Sequence, residues 1–325
     1  MRFIILSVVW SIVLFSCAGK TEQVKAKYVF YFIGDGMGVN QVIGTEMYLA
    51  ELEGRIGTKS LSFTSFPVRN YVTTYSGTNA VTCSAAAGTA LATGTKTQNG
   101  RIGMRQYSSF LYSIAWRAKQ AGKAVGVTTS VAINHATTAV FYAHQPDRQM
   151  YYEIGTDAAK AGFDFYGGAG WKQVFSPHDS SEIDLYSLLR DSGYVIIDHR
   201  QDFQALSTGA GKVVYVQPED CVNPSSLPAA IDRKEGELTL ADITRKAIQF
   251  LSARNEDGFF LMVEGGIIDW LCHANDGAAA FREVVDFSEA IQVALDFYKA
   301  HILLNCRTAF PFPLYKKLLL SGNRA

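Results

Sequence analysis

Three side chains of the kind that bind metal ions stand close together in the last third of the chain. Glu264 closes an apolar run, and Asp269 and His273 follow it four positions apart. Two residues at that spacing share one face of a helix, so both side chains can reach the same cation. Asp and His are usual zinc ligands, whereas an oxygen-only set that includes Glu264 suits magnesium. The spacing also fits an ordinary Asp–His pair on a helix surface, and both interpretations stay open.

A second segment offers a hydroxyl at the start of a predicted helix. The run from Ser84 to Thr93 consists of small residues and one leucine, which predicts a closely packed helix. The free backbone N–H groups and the dipole at its N-terminus favour an anion, either an alkoxide or a bound phosphate. A core helix that merely begins with a serine would show the same pattern.

A third segment contains His135, Thr137 and, further on, Arg148. Arginine can bind a phosphate through two parallel hydrogen bonds, which lysine cannot reproduce. An isolated arginine is more often a solvated surface charge. This segment therefore acquires meaning only in combination with the others.

The elements that must position these residues alternate along the chain. Apolar runs predict strands over 28–33, 124–128, 194–197, 213–216 and 259–263. Helical patterns cover 84–93, 109–121, 239–254 and 281–300. This alternation predicts an α/β fold, a mostly parallel sheet covered by helices on both faces. Ligands bind beyond the carboxyl ends of such strands, where Asp35 and Glu264 stand.

Composition excludes some classes of function. The chain has 325 residues, 48% of them hydrophobic, which is enough for one large domain or two small ones. The charges of its 30 basic and 30 acidic side chains cancel, so the formal net charge is zero. A nucleic-acid-binding protein needs a basic face, so the balance argues against specific nucleic-acid binding. Beyond the N-terminal apolar run, no window predicts a transmembrane helix.

The N-terminus has the pattern of an export signal. Arg2 precedes a short apolar run, and Cys17 follows in a context that resembles a bacterial lipobox. We expect a signal over 1–16 and a lipid anchor at Cys17, with an ordinary cleaved signal as the alternative. Either places the mature protein in the periplasm or on the outer membrane. Disulfides are permitted there among Cys83, Cys221, Cys272 and Cys306, but their pairing does not follow from sequence.

Taken together and in order, four segments resemble the signature segments of the alkaline phosphatase family. They are residues 33–38, the helix that starts at Ser84, residues 135–137 with Arg148, and residues 263–273. The resemblance extends from about residue 28 to residue 300 and implies a three-layer α/β/α sandwich. It further implies hydrolysis of small phosphate monoesters, with Ser84 as the nucleophile that becomes phosphoserine. Arg148 would hold the nonbridging phosphate oxygens, and a homodimer would be the assembly.

The resemblance also implies two zinc ions and one magnesium ion. Asp35 would bridge a zinc and the magnesium, and His135 would lie beside the magnesium site. The remaining ligands would be Thr137 and Glu264 for magnesium and Asp269 and His273 for the other zinc.

Two positions depart from the family pattern. Cys83 stands where many relatives have an Asp that helps to hold the arginine, so we expect Arg148 to be less constrained. Trp270 stands where relatives often carry Lys or His. A sulfatase would need Cys-x-Pro-x-Arg, which the segment after Cys83 does not match. A phosphodiesterase or mutase of the same superfamily is disfavoured by the Ser84 segment.

The composition changes after residue 300. Residues 301–325 contain no Asp or Glu and four basic side chains, whereas the body before them is net acidic. The family supplies three more zinc ligands at this point, an Asp-His pair and a later His. We therefore expect a C-terminally truncated catalytic domain over 17–300 followed by an atypical basic tail over 301–325. The alternative function is an impaired homologue that only binds metal or phosphate.

Overall fold

The structure, a computed structural model, describes residues 26–105, 109–179, 181–206, 211–218 and 225–305, with side chains up to His301. The predicted signal, the lipid-anchor residue Cys17, Cys221, Cys306 and most of the basic tail lie outside the described residues. Of the cysteines inside them, Cys83 and Cys272 are both free thiols.

One six-stranded sheet forms the centre of the molecule. Its strands are β1 (Tyr28–Gly34), β2 (Ala124–Thr129), β3 (Phe165–Gly168), β4 (Tyr194–Ile197), β5 (Lys212–Val216) and β6 (Phe259–Gly265). They lie in the order β1-β6-β2-β3-β5-β4, and every neighbouring pair is parallel. Both faces of β2 and β6 are buried, which explains why no polar residues alternate with the apolar ones over 124–127 and 259–263.

Helices connect the strands and cover both faces of the sheet. They are α1 (Val39–Glu51), α2 (Ser84–Thr93), α3 (Ile114–Gln120), α4 (Ala136–Ala139), α5 (Tyr151–Ala161), α6 (Leu185–Asp191), α7 (Arg200–Ala205), α8 (Leu240–Arg254), α9 (Ile267–His273) and α10 (Gly277–Asn305). On one face, Phe32 and Leu261 pack with α8 and α10. On the other, Tyr31 and Met262 pack with helices α2 to α6. The predicted three-layer α/β/α sandwich is confirmed.

Local signals explain where some helices begin. The helix α8 starts after Thr239, whose hydroxyl accepts the N–H of Asp242 while the Asp242 carboxylate accepts the N–H of Thr239. The helix α3 starts at Ile114, so the prediction of a helix from residue 109 was wrong at its start. Phe110 instead forms an antiparallel bridge with Met104, and the Ser113 hydroxyl accepts the N–H of Trp116.

The last described helix is long. It continues to Asn305 and so crosses position 300, where the composition changes. Within the described ranges, none of the helices is both long and apolar enough to cross a membrane.

Candidate active site

The candidate site lies where three neighbouring strands end. In the sheet, β6 lies between β1 and β2, so Gly34 is opposite Gly265 and Thr129 is opposite Glu264. The N–H of Asp35 donates to the carbonyl of Gly265 at 3.2 Å, which extends this pairing one residue beyond β1. Parallel strands end at the same edge, and this pairing therefore brings buried carboxyl groups from distant parts of the chain together.

Ser84 is the first residue of α2 and contacts Asp35. Its hydroxyl donates to Asp35 Oδ2 at 2.9 Å, and the Thr137 hydroxyl donates to the same oxygen at 3.4 Å. The other oxygen, Asp35 Oδ1, accepts the N–H of Gly36 at 3.1 Å. Asp35 is only 2% exposed, whereas Ser84 is half-buried. The buried carboxylate of Asp35 thus orients the Ser84 hydroxyl. Ser84 itself remains partly exposed to solvent.

Asp269 approaches the turn that follows β1. Gly36 has φ +64°, and a Cβ at this position would lie 2.7 Å from the Cα of Asp269 and 2.8 Å from its Oδ1. Only glycine permits both this backbone conformation and this close approach. In α9, Asp269 Oδ2 lies 3.5 Å from His273 Nε2, as the four-residue spacing predicts. The His273 side chain is 66% exposed, while that of Asp269 is 15% exposed.

Burial and neighbouring charges shift the pKa values of three carboxyl groups at the site, those of Asp35, Glu264 and Asp269. Burial is the main cause that raises the pKa of Asp35, and the charge of Asp269 raises it further. Burial likewise raises the pKa of Glu264, with the charge of Asp35 as the next cause. The pKa of Asp269 is raised by burial and lowered by the charges of His273 and Arg148. Such a cluster of desolvated like charges is characteristic of a site that binds a cation.

Glu264 has one oxygen in a hydrogen bond and one without a partner. The Thr129 hydroxyl donates to Oε2 at 2.6 Å. The other oxygen, Oε1, is buried and has no hydrogen-bond partner among the described residues. A buried carboxylate oxygen without a partner is costly, so its presence needs an explanation.

His135 contacts the arginine. Arg148 Nη2 lies 3.3 Å from His135 Nε2, and the Trp270 ring forms a T-shaped contact with the imidazole, with ring centroids 5.5 Å apart. Burial first, then the charges of Arg148 and Lys172, lower the pKa of His135 to about 3. The imidazole is therefore neutral, and its Nε2 accepts a hydrogen bond from the guanidinium.

Arg148 is also held through its backbone. Its N–H donates to the carbonyl of Gly100 at 2.8 Å, and the N–H of Gly100 donates to the thiol of Cys83 at 3.1 Å. Cys83, the residue before Ser84, is thus connected to the arginine segment, although it replaces the expected Asp.

Comparison with known proteins identifies the family. The sequence profile named "Alkaline phosphatase" matches residues 26–167 and 182–309, which is most of the chain. The chain belongs to the alkaline phosphatase family. Alkaline phosphatase 3 of Bacillus subtilis (strain 168) is 34% identical over 288 residues, which cover 86% of this chain and 59% of that protein. The chain spans about three fifths of the length of alkaline phosphatases 3 and 4 of Bacillus subtilis.

Solved alkaline phosphatase structures share the fold. The enzyme of the Antarctic bacterium TAB5 superposes with a TM-score of 0.74 at 31% identity, covering 85% of this chain and 75% of that one. A variant of the TAB5 enzyme, with a TM-score of 0.73 at 30% identity over 85% of this chain and 74% of that one, has magnesium bound in its M3 site.

Candidate metal donors occur in two small sets in this alkaline phosphatase fold. Across the described part of the chain, no group of three or more His, Cys, Asp or Glu side chains is arranged to hold one metal ion. Asp35, Thr137 and Glu264 instead form an oxygen-only set, and the partnerless Oε1 of Glu264 fits a hard divalent cation there. Asp269 and His273 form a second set, with fewer protein ligands than the three that a catalytic zinc usually has.

The residues singled out from the alkaline phosphatase resemblance thus lie together. Ser84, Asp35 and Thr137 are in hydrogen-bond contact, as are His135 and Arg148. Sequence reasoning missed Thr129 and Gly36. Two adjacent threonines at the carboxyl end of an apolar strand were the available signal for Thr129, and Gly36 stands directly after Asp35.

Proposed function

We propose that this chain hydrolyses phosphate monoesters through a phosphoserine intermediate. Ser84 Oγ forms a bond to phosphorus as the ester P–O bond breaks, and the departing alcohol takes up the proton that Ser84 loses. Water then cleaves the phosphoserine, which regenerates the hydroxyl and releases inorganic phosphate. The observation that carries this proposal is the position of Ser84, at the N-terminus of α2 and hydrogen-bonded to the buried Asp35.

The surroundings of Ser84 suit a phosphoryl group. The N-terminus of α2 presents unpaired backbone N–H groups and a positive dipole end to an anion bound beside Ser84. Arg148 would hold the nonbridging oxygens, with the neutral His135 accepting one guanidinium hydrogen bond and so limiting its movement. Phosphoryl transfer depends mainly on positioning and neutralisation of charge, which these groups supply.

Zinc and magnesium are the cofactors that we propose. Asp35, Thr137 and Glu264 would hold magnesium, Asp269 and His273 would hold one zinc, and Asp35 with Ser84 would face a second zinc. When bound, such ions neutralise the phosphoryl oxygens and lower the pKa of the attacking hydroxyl or water. The chain's own contribution is to keep the carboxylates desolvated and in place before any cation arrives.

A second function remains as an alternative because the zinc donor set is small. Asp269 and His273 are its protein ligands among the described residues, and His273 is largely exposed. A protein with this set would still bind magnesium or phosphate, without turnover. The two functions differ in phosphate release and not in binding.

The test uses the full chain with added zinc and magnesium and follows phosphate release from an aryl phosphate at alkaline pH. Ser84→Ala should lower the rate by about 10³-fold or more, whereas Ser252→Ala, which removes an exposed helical hydroxyl, should leave it unchanged. Calorimetry with inorganic phosphate should show binding that Arg148→Ala weakens. Binding without turnover in the unmodified chain would establish the non-catalytic alternative.

We also propose that the chain is exported and anchored to a membrane through Cys17. The support is the apolar run with its following cysteine in the sequence. Mass spectrometry of the mature N-terminus should detect a lipid on Cys17, and Cys17→Ser should release the protein from the membrane fraction. A mature chain that starts elsewhere without lipid would contradict the anchor.

A homodimer is the assembly that we propose. Exposed apolar side chains, including Val68, Tyr71 and Val72, occupy the extended segment before α2, and such surfaces often lie in protein interfaces. Sedimentation of the detergent-solubilised chain should give twice the monomer mass, and a monomer at all concentrations would overturn this proposal.

A further inference from the structure

Two buried polar residues at the end of β2 contact Glu264 and the start of α9, the helix that carries Asp269 and His273. Thr129 is 0% exposed and Ser130 is 1% exposed. Neither belongs to the donor sets described above. Because a buried hydroxyl must find partners, the groups that these two side chains contact reveal what they are placed to hold.

The Thr129 hydroxyl has a fixed direction. Its oxygen accepts the N–H of Val131 at 3.0 Å, and its proton is donated to Glu264 Oε2 at 2.6 Å. A hydroxyl has one proton to donate, so the backbone amide on its lone pair leaves that proton for the carboxylate. Thr129 therefore determines which oxygen of Glu264 is already in a hydrogen bond.

The consequence is that Glu264 Oε1 is left available. This oxygen is buried and has no hydrogen-bond partner among the described residues. The backbone of Gly266 also lies close to this oxygen, since a Cβ on Gly266 would be 3.2 Å from Oε1. Without Thr129, the carboxylate could rotate and the two oxygens would no longer be distinct.

Ser130 forms hydrogen bonds with the backbone of the segment that follows Glu264. Its Oγ accepts the N–H of Gly266 at 2.9 Å and the N–H of Ile267 at 3.2 Å. These two N–H groups lie at the start of α9, where no carbonyl within the helix can accept them. Ser130 therefore fixes the position where α9 leaves the sheet. The same helix carries Asp269 and His273.

We propose that Thr129 and Ser130 are positioning residues for cation binding. Thr129 holds Glu264 so that Oε1 is presented to the magnesium, and Ser130 sets the origin of the helix that carries the zinc ligands. This inference rests on the proposed magnesium and zinc sites, and it does not require that the chain turns over substrate.

The chain offers a matched control for Thr129. The preceding residue, Thr128, is also 0% exposed, and its hydroxyl donates to the carbonyl of Met262 at 3.1 Å. Thr128→Val and Thr129→Val thus each remove one buried threonine hydroxyl, and the two positions are adjacent in the same strand. Only Thr129→Val removes a hydrogen bond to a carboxylate.

The experiment measures magnesium binding to the full chain by calorimetry, together with the magnesium-dependent rise in the unfolding temperature. Thr129→Val should raise the magnesium Kd by about 10- to 100-fold, while Thr128→Val and the conservative Thr129→Ser should stay within about threefold. In zinc titrations of the same full chain, Ser130→Ala should raise the zinc Kd by about 10- to 100-fold. An unchanged zinc Kd would overturn the role of Ser130. If Thr129→Val does not fold, Thr129→Ala should show the same loss.

The outcomes separate this inference from the proposed function. Equal magnesium affinity in Thr129→Val and Thr128→Val would overturn it, even if the chain is an active phosphatase. Absence of magnesium binding in the unmodified chain would also overturn it. A selective loss in Thr129→Val would support it even if no phosphate is released, because in that case only the catalytic proposal fails.

Discussion

Ser84 and Asp35, which are 49 positions apart, are joined by a 2.9 Å hydrogen bond at the carboxyl edge of the sheet. The partner of the hydroxyl is a carboxylate that is almost fully buried and close enough to Asp269 for their charges to repel. This relationship gives the site two properties. The Ser84 hydroxyl is held in one orientation, and the carboxylate has an unfavourable charge that a cation would relieve.

Replacement of Asp35 by Asn should affect stability and metal binding in opposite directions. Asp35→Asn removes a desolvated charge, and the metal-free protein should gain on the order of 1 kcal/mol, a rise of roughly 2–4 °C in unfolding temperature. The same variant should lose the stabilisation that magnesium gives to the unmodified chain. Differential scanning calorimetry with and without magnesium measures both effects. A metal-free variant less stable than the parent would contradict this account of the charge.

Gly36 and Gly54 form a matched pair because both have a left-handed backbone. Their φ values are +64° and +65°, but a Cβ on Gly36 would collide with Asp269, whereas nothing lies within 4 Å of a Cβ on Gly54. Gly54→Ala should cost about 1 kcal/mol for the backbone conformation alone. Gly36→Ala should cost about 1–3 kcal/mol more, because the start of α9 must shift. Urea unfolding of the two variants would show equal losses if the contact with Asp269 is unimportant.

The imidazole of His135 should remain neutral throughout the working range. Burial and the neighbouring cations Arg148 and Lys172 lower its pKa to about 3. Because Nε2 accepts from Arg148, the proton of the neutral ring must be on Nδ1. Nitrogen-15 NMR should show the Nδ1–H tautomer without a change between about pH 5 and pH 9. A titration inside that range would contradict the burial of the imidazole beside these two cations.

Glu283 should make stability depend on pH. It lies 3% exposed on α10 and accepts the N–H of Ala230, and burial raises its pKa from 4.5 to about 7. Between these values the folded state binds more protons than the unfolded state, so stability falls as pH rises through this window. Glu283→Gln removes the effect and should gain on the order of 1–3 kcal/mol at about pH 8 relative to about pH 5. The exposed Glu235→Gln is the control, and an equal pH dependence in both variants would refute the assignment.

Arg233 should contribute strongly to the free energy of unfolding because its partner Asp286 is buried. The pair between Arg233 and Asp286 has side chains only 11% and 5% exposed. Arg233→Met leaves Asp286 buried without its cation and should cost about 3–5 kcal/mol. Arg245→Met breaks an exposed pair with Asp242 and should cost less than about 1 kcal/mol. Chemical unfolding of both variants measures the difference, and similar losses would show that burial does not set the cost.

Prediction from sequence succeeded where the signal is local. The apolar runs located β1 and β6, and the Thr239–Asp242 pair located the start of α8, because a strand or a cap involves neighbouring residues. The short strand Phe165–Gly168 was missed, since two aromatic residues followed by two glycines do not form a recognisable apolar run. Its position comes from pairing with β2 and β5, which is a long-range contact.

The sequence by itself determined which groups could act and how they are spaced within one element. Asp269 and His273 share a face of α9 because helical geometry places residues four apart together. The tertiary structure alone decided which groups meet across elements. Thr129 lies opposite Glu264 only because β6 pairs with β2 in the sheet, although the two strands are far apart along the chain. No spacing along the chain encodes such a pairing, because it is the burial of apolar surface from distant segments that fixes it.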